Sequence, residues 1–351
     1  MNLTLDLSLL AELCEKPGLP GFEGPIADFL ANHLQARGID SRTDRIGNVI
    51  AHLPGNGPRA LLVAHMDEVG LLVRKIYAGG FLAVERLGGT SPHVLPGKRV
   101  LVWTDRGPLP GVMSAIPMHL VADVPQPLLP GMHVDLGVTG QAEAEALGVE
   151  VGQPITYAPS FDRINRCIAS KSLDDRLGCF LLLELAARVQ AQASHCDLWL
   201  VFVVQEENML DGGVPAANAI QPDWALGVDA TLAFDTPDLT NGQNDLALGA
   251  GTVVKVMDRV RGAGQGLIAH PGLRKHLEAL AKSAGIPFQR EVVIGISTAA
   301  TPLAFTATGI PTAAVSFPIR YSHSAIEVAD LDDIRATADL IERAVRSPWE
   351  D

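Results

Sequence analysis

The chain has 351 residues, of which 47% are hydrophobic, and a formal net charge of −13. That length and apolar content support a sizeable core and suggest one large domain with a smaller one. The acidic balance argues against non-specific binding to nucleic acid or anionic membranes, which require basic surface.

Helical periodicity opens the chain, ending at Leu10 and Leu13 before Pro17-Gly18. The start has no basic, apolar and small-residue pattern of a secretory signal, so a cytoplasmic protein is expected. A second amphipathic helix runs through Ile26, Phe29, Leu30 and Leu34, between Gly24-Pro25 and Gly38. Asn48 to Leu53 and Ala60 to Ala64 read as strands, the latter apolar enough to be covered on both faces. After Gly70 the texture becomes rich in proline, glycine and short Val/Leu runs such as Arg99 to Trp103, with one brief helix near Gln141 to Leu147. Residues 71–162 therefore read as an inserted β-rich, barrel-like domain, and residues 1–70 with 163–351 as the main one. From Ser172 onward helices (Asp175 to Val189, Pro271 to Ala284, Leu331 to Val345) alternate with strands (Leu198 to Val204, Ala225 to Phe234, Thr312 to Phe317), which predicts an α/β sheet covered by helices on both faces. No apolar run is long enough to cross a bilayer. The four cysteines, Cys14, Cys167, Cys179 and Cys196, are scattered without metal-ligand spacing and read as reduced thiols.

Metal-binding residue types stand in or just beyond these strands. His65 and Asp67 follow the first apolar run, Glu206 and Glu207 follow the strand at Leu198, and His323 follows the strand at Thr312. Asp229 interrupts an apolar strand, which is costly for a carboxylate unless it is paired or metal-bound. Asp174, which alone would pass for a helix N-cap, precedes the helix at Asp175. In open α/β sheets ligands bind beyond the carboxyl ends of the strands. Two imidazoles with several carboxylates suit zinc, cobalt or manganese rather than magnesium or calcium. A carboxylate bridging two such ions leaves room for an acidified water, and a neighbouring carboxylate can take its proton. Glu206 and Glu207 supply one ligand and one base, in either order.

Taken together these segments make the chain resemble the tetrahedral-aminopeptidase family, which includes glutamyl and deblocking aminopeptidases and some proteins once labelled endoglucanases. The resemblance rests on Pro20-Gly21-Phe22-Glu23-Gly24, Gly47 to Ala51, His65 to Gly70, Met118-His119-Leu120, Leu173 to Gly178, Gln205-Glu206-Glu207 and Arg320 to Ser324. It implies an α/β/α sandwich of the zinc-peptidase kind with an inserted β domain, and assembly into homo-oligomers from dimers to tetrahedral dodecamers. By the same resemblance His65 and Asp229 hold one metal ion, Glu207 and His323 the other, Asp174 bridges them, and Glu206 is the general base. Asp67 then orients the His65 imidazole. The implied substrates are short peptides. A glycosidase is not expected, since that chemistry needs two carboxylates flanking a sugar and no metal pair.

Two stretches depart from the family pattern: Asn208-Met209-Leu210-Asp211-Gly212 stands where Val-Gly-Leu-Arg-Gly is usual, and Ser297-Thr298-Ala299-Ala300 where Gly-Thr-Asp-Ala is usual. Neither removes a ligand, but both bear on substrate preference, and loss of the acidic residue at Ala299 leads to the expectation that neutral N-terminal residues are favoured over basic ones. A metal-dependent deacylase and a catalytically silent scaffold are the alternatives.

Overall fold

The computed structural model describes residues 5–117, 119, 128–239, 244–262 and 265–349. Helices α1 (Leu7–Glu15) and α2 (Gly24–Ala36) precede strands β1 (Asp40–Thr43), β2 (Val49–Leu53) and β3 (Arg59–His65). Next come β4 (Gly70–Ile76), β5 (Leu82–Leu87), β6 (Arg99–Thr104), β7 (Gly107–Met113), β8 (His133–Asp135), α3 (Gln141–Ala146) and β9 (Pro154–Tyr157). Then β10 (Phe161–Ile164), β11 (Cys167–Ser170), α4 (Leu173–Ala191), β12 (Asp197–Val203), α5 (Glu206–Met209) and α6 (Val214–Ile220) lead to β13 (Trp224–Leu232). The chain closes with β14 (Thr252–Met257), α7 (Pro271–Ala284), β15 (Phe288–Val292), β16 (Thr312–Arg320), β17 (Glu327–Asp330) and α8 (Leu331–Arg346).

Local chemistry sets the helix ends. The Asp6 carboxylate accepts from the amides of Ser8 and Leu9 at the start of α1, and Asp330 accepts from Asp332 N at the start of α8. Pro271 sits in the first turn of α7, and Gly285, at φ +66°, closes it in the left-handed conformation that glycine adopts without cost.

An eleven-stranded sheet has the order β1-β2-β12-β3-β13-β16-β17-β11-β10, with β14 pairing β15 and β16. Its centre, β12-β3-β13-β16, is parallel. The apolar run of β3 is divided between two cores. Ala60, Leu62 and Ala64 pack with the helices α1, α2, α4, α7 and α8, while Leu61 and Val63 pack with α6 and the turn at Leu303. Strand β12 divides in the same way, with Leu198, Leu200 and Phe202 on one face and Val201 and Val203 on the other. This period-two partition explains why a continuous apolar run is a strand here.

The segment after His65 forms a closed barrel, β4-β5-β8-β7-β6-β9, around its own apolar core of residues such as Leu71, Leu82, Val100, Val134 and Ile155. Its strands span Gly70 to Tyr157, and β10 already pairs with β11 in the large sheet. The fold is thus an α/β sandwich with a barrel inserted after β3.

Several elements differ from the sequence expectation. Asp174 and Asp175 carry non-helical dihedrals, so the regular part of α4 begins after them. Strand β16 runs on to Arg320, past Pro318. That proline falls between the pairing to β14, which stops at Ser316, and the pairing to β17, which starts at Ile319, so its missing N–H costs no bond on that side. Strands β10, β11, β14, β15 and β17 and the short α5 and α6 were not expected. Of the Met118-His119-Leu120 motif, Met118 and Leu120 lie outside the described residues. Among the described residues no helix is long and apolar enough to cross a membrane.

Candidate metal centre

The site forms where the parallel strands end. His65 is the last residue of β3, Glu206 and Glu207 begin α5 just past β12, Asp229 lies in β13, and His323 follows β16. Asp174 arrives from the irregular first residues of α4. The strand that follows β3 in the parallel set lies on one side of it and the next on the other, which opens the crevice at their carboxyl ends.

The expected residues converge. One oxygen of Asp174 lies 3.1 Å from His65 Nε2, and its other oxygen lies 3.5 Å from His323 Nε2. Glu207 approaches His323 Nε2 at 3.0 Å, while Asp229 and Glu206 approach His65 Nε2 at 3.7 and 3.9 Å. Donor atoms of His65, Asp175 and Asp229, of Asp174, Glu207 and His323, and of His65, Glu206 and Glu207 form groups whose members lie within 4.8 Å of one another.

This donor set fits divalent cations. Carboxylates outnumber the two imidazoles, and His65, Glu206 and Asp229 are buried while Asp174, Glu207 and His323 are partly so, which leaves an excess of acidic groups where water solvates them poorly. Burial raises the Glu206 carboxyl well above the usual carboxylate range, with Asp229 and Glu207 adding to the rise against His65. Burial likewise lifts Asp229 to about 7. Burial works against the charged form of His65, but Glu206, Asp174 and Asp67 outweigh it and hold the imidazole well above its ordinary value. Each shift reports a group that a cation would return toward the ionised carboxylate and neutral imidazole that ligation requires.

A ring of buried acceptors holds the site's backbone. The two oxygens of Asp67 accept from the amides of Glu206 and Glu207, at 3.0 and 2.9 Å, and cap α5. The contact to His65 Nδ1 is made at 3.1 Å by the Asp67 carbonyl oxygen, with the carboxylate at 3.6 Å. Glu327 accepts from Asp174 N and His323 N at 2.9 and 2.8 Å, and burial together with the Asp174 charge lifts its carboxyl to about 8. Asp175 accepts from His65 N at 3.0 Å. Glu23 accepts from Gln205 N, and Asn48 accepts from Val204 N while donating to the Gly212 carbonyl. Ser172, Gln205, Leu210, Tyr321 and His323 all carry φ between +58° and +67°. Left-handed backbone at non-glycine residues is disfavoured and persists where such bonds over-determine it. Glu327 and Asp175 were not singled out from sequence. Glu23 and Asn48 stand in segments that carry the family resemblance, and their bonds to Gln205 N and Val204 N show their part in it.

A cleft of about 550 Å³ opens over the carboxylates, walled by Thr231, Leu232, Val260 and Ile296 beyond Asp229 and by Ser91 and Val94 of the barrel segment. A methyl group at Gly89 would stand 2.4 Å from His323 Nδ1, so only glycine lets the barrel segment lie against that imidazole. Of the departures from the family pattern, Asn208, Met209, Leu210 and Ser297 line the cleft. Ala299 does not. Its side chain is buried in the apolar core around Leu61 and Val201, and it meets the site through its amide, which donates to Asp229 at 3.1 Å. Ala299 thus bears on the site through Asp229 rather than as a wall of the cleft.

Fold and site together define an α/β sandwich with an inserted barrel and a cluster of candidate metal ligands beyond its parallel strands, and comparison with known proteins specifies it. Residues 47–340 match the M42 glutamyl aminopeptidase family, and the chain belongs to that family. It is 35% identical to the putative aminopeptidase SgcX of Escherichia coli (strain K12), over 93% of this chain and 89% of that protein. Among solved structures it is similar to the aminopeptidase APDkam598 from the archaeon Desulfurococcus kamchatkensis, with TM-score 0.91 and 31% identity over 97% of this chain and 94% of that one. The TET1 peptidase of Pyrococcus horikoshii, which assembles into a tetrahedron or a large octahedral shell, matches with TM-score 0.85 and 30% identity over 97% and 99% of the two chains.

Proposed function

We propose that the chain is a cytoplasmic metallo-aminopeptidase that removes N-terminal residues from short peptides. Two divalent cations, zinc or cobalt with manganese also suited, would be held by His65, Asp174, Glu207, Asp229 and His323. The observation that carries this reading is the placing of Asp174, which turns one oxygen to each imidazole while Asp229 and Glu207 flank the two ends. When bound, such cations polarise the scissile carbonyl and bring the pKa of a water into the neutral range.

The chain's own residues do the rest. Glu206, buried and raised in pKa, takes a proton from the attacking water and returns it to the leaving amine. Asp67 fixes Glu206 and Glu207 through their amides, so that one carboxylate can ligate while its neighbour acts as base. The wall of Thr231, Leu232, Val260 and Ile296 receives the N-terminal side chain. The large sheet with its helices, to which β10 belongs, forms the catalytic unit, and the barrel strands from Gly70 to Tyr157 form an inserted unit that walls the cleft and mediates homo-oligomer formation, from dimer to dodecamer. The shells of the P. horikoshii relative support assembly.

Metal analysis and a panel of aminoacyl chromogenic substrates, run with several metals, test the reading. Glu206→Gln is expected to keep metal and lose turnover by about 10²-fold or more, whereas Glu207→Gln is expected to lose metal. The reverse pattern would exchange the two roles, and absence of turnover across the panel would remove the function.

A further inference from the structure

A second cleft, of about 470 Å³, adjoins the first at its His323 end, and Val94 and Ser322 line both. Its other walls include His93, Lys98, Tyr321 and Ile326, with no acidic side chain among the residues lining it. Lys98 is half-buried, and among the described residues its ammonium makes no ion pair or hydrogen bond. Its backbone is held on both sides: the amide donates to Leu95 O at 3.1 Å, and the carbonyl accepts from Met113 N at 2.9 Å. The ammonium is therefore carried on a fixed stem just before β6, in a recess where its charge finds no partner among the described residues.

Resting on the aminopeptidase reading, we infer that this recess is a subsite for the departing part of the substrate, and that Lys98 receives the C-terminal carboxylate of a di- or tripeptide. A peptide whose N-terminal side chain rests on the Thr231 and Ile296 wall lies across the carboxylate cluster. The rest of its chain then leaves past His323 and Ser322 into the Lys98 recess. An anionic end group meets an unpaired cation there, and an amidated or longer chain places no charge beside it. The activity is thus directed to short free peptides by charge recognition at the far end of the substrate, as well as by space.

The test compares three substrates with the same N-terminal residue, chosen from the aminoacyl panel: the X-Gly-Gly tripeptide, its C-terminal amide, and the p-nitroanilide. For the wild-type protein with metal supplied, kcat/KM for the free acid should exceed that for the amide by about five- to tenfold, and the ratio should shrink as salt is raised. Lys98→Met should bring the ratio to about one, and Lys98→Arg should retain it. The ratio is the readout because a general loss of fold or metal lowers both rates and leaves it in place. Equal rates for acid and amide in the wild type, with the anilide cleaved, would overturn this inference and leave the peptidase reading standing, and an undiminished ratio in Lys98→Met would also overturn it. Turnover of none of the three would overturn both.

Discussion

The barrel and the floor of the cleft are both shielded from water, but they are built from opposite materials. Inside the barrel, Leu71, Leu82, Val84, Val100, Val102 and Val134 meet one another, and the gain comes from apolar area removed from water. At the floor, Asp67, Asp175, Glu206, Asp229 and Glu327 are buried beside one imidazole or another, and burial itself opposes their charge. The first region is complete as a polypeptide. The second is made tolerable by backbone amides aimed at carboxylates, and it gains most from a cation that the chain does not encode.

Three perturbations would break or sharpen that contrast. The largest expected effect is on the barrel. Leu82, fully buried, changed to alanine should cost about 2–5 kcal/mol of stability by denaturant unfolding. Turnover per metal-loaded molecule should hold, and a parallel loss of metal would show that the two regions are not energetically separate. Chelation should come next, lowering stability by roughly 3 kcal/mol if metal had been present at about a hundred times its Kd. Hydrogen exchange should then rise in α5 and in residues 321–327 while β4 to β9 stay protected, and uniform loosening would contradict the contrast.

The smallest effect is expected at a carboxylate that has its own counter-ion. Asp235 accepts from Arg320 Nε and Nη2 at 2.8 and 2.6 Å, which holds its carboxyl below the usual range, the hydrogen bonds to Arg320 being the largest cause. A carboxyl lowered in the folded state adds stability that is present above the unfolded pKa of about 4 and is lost as pH falls through the lower folded value. Asp235→Asn should therefore cost about 1 kcal/mol or less at pH 7, and the variant should converge on the wild type as pH drops below about 4. A difference that persists in acid would assign the cost to packing instead.

The same contrast explains what could be read from the sequence. Strands β3 and β12 were visible because both of their faces are apolar, and α7 and α8 because one face is. Strands β10, β11 and β17 are four residues each, and their place comes from pairing with one another rather than from a pattern along the chain. At the site, the convergent ligand types were legible from their positions at strand ends. Their supports were not. Glu327 reaches back to Asp174, and Glu23 reaches forward to Gln205, so each acts on backbone far away in sequence, where spacing carries no information. Ala299 shows a different gap: spacing placed the departure near the site, but not that its side chain lies in an apolar core while its amide holds Asp229.

The bare backbone at Gly89 limits how freely the inserted module can be exchanged. A barrel is topologically self-contained and enters the large sheet's chain through a single break, which makes it look like a cassette that recombination could replace at will. Yet its loop lies so near His323 that a single methyl at Gly89 would run into the imidazole. Any replacement module must bring its own hole at that point. Ancestral shuffling of such inserts, or grafting by an engineer, is thus constrained by one missing atom on the loop between β5 and β6 as well as by the joints at the two ends of the module.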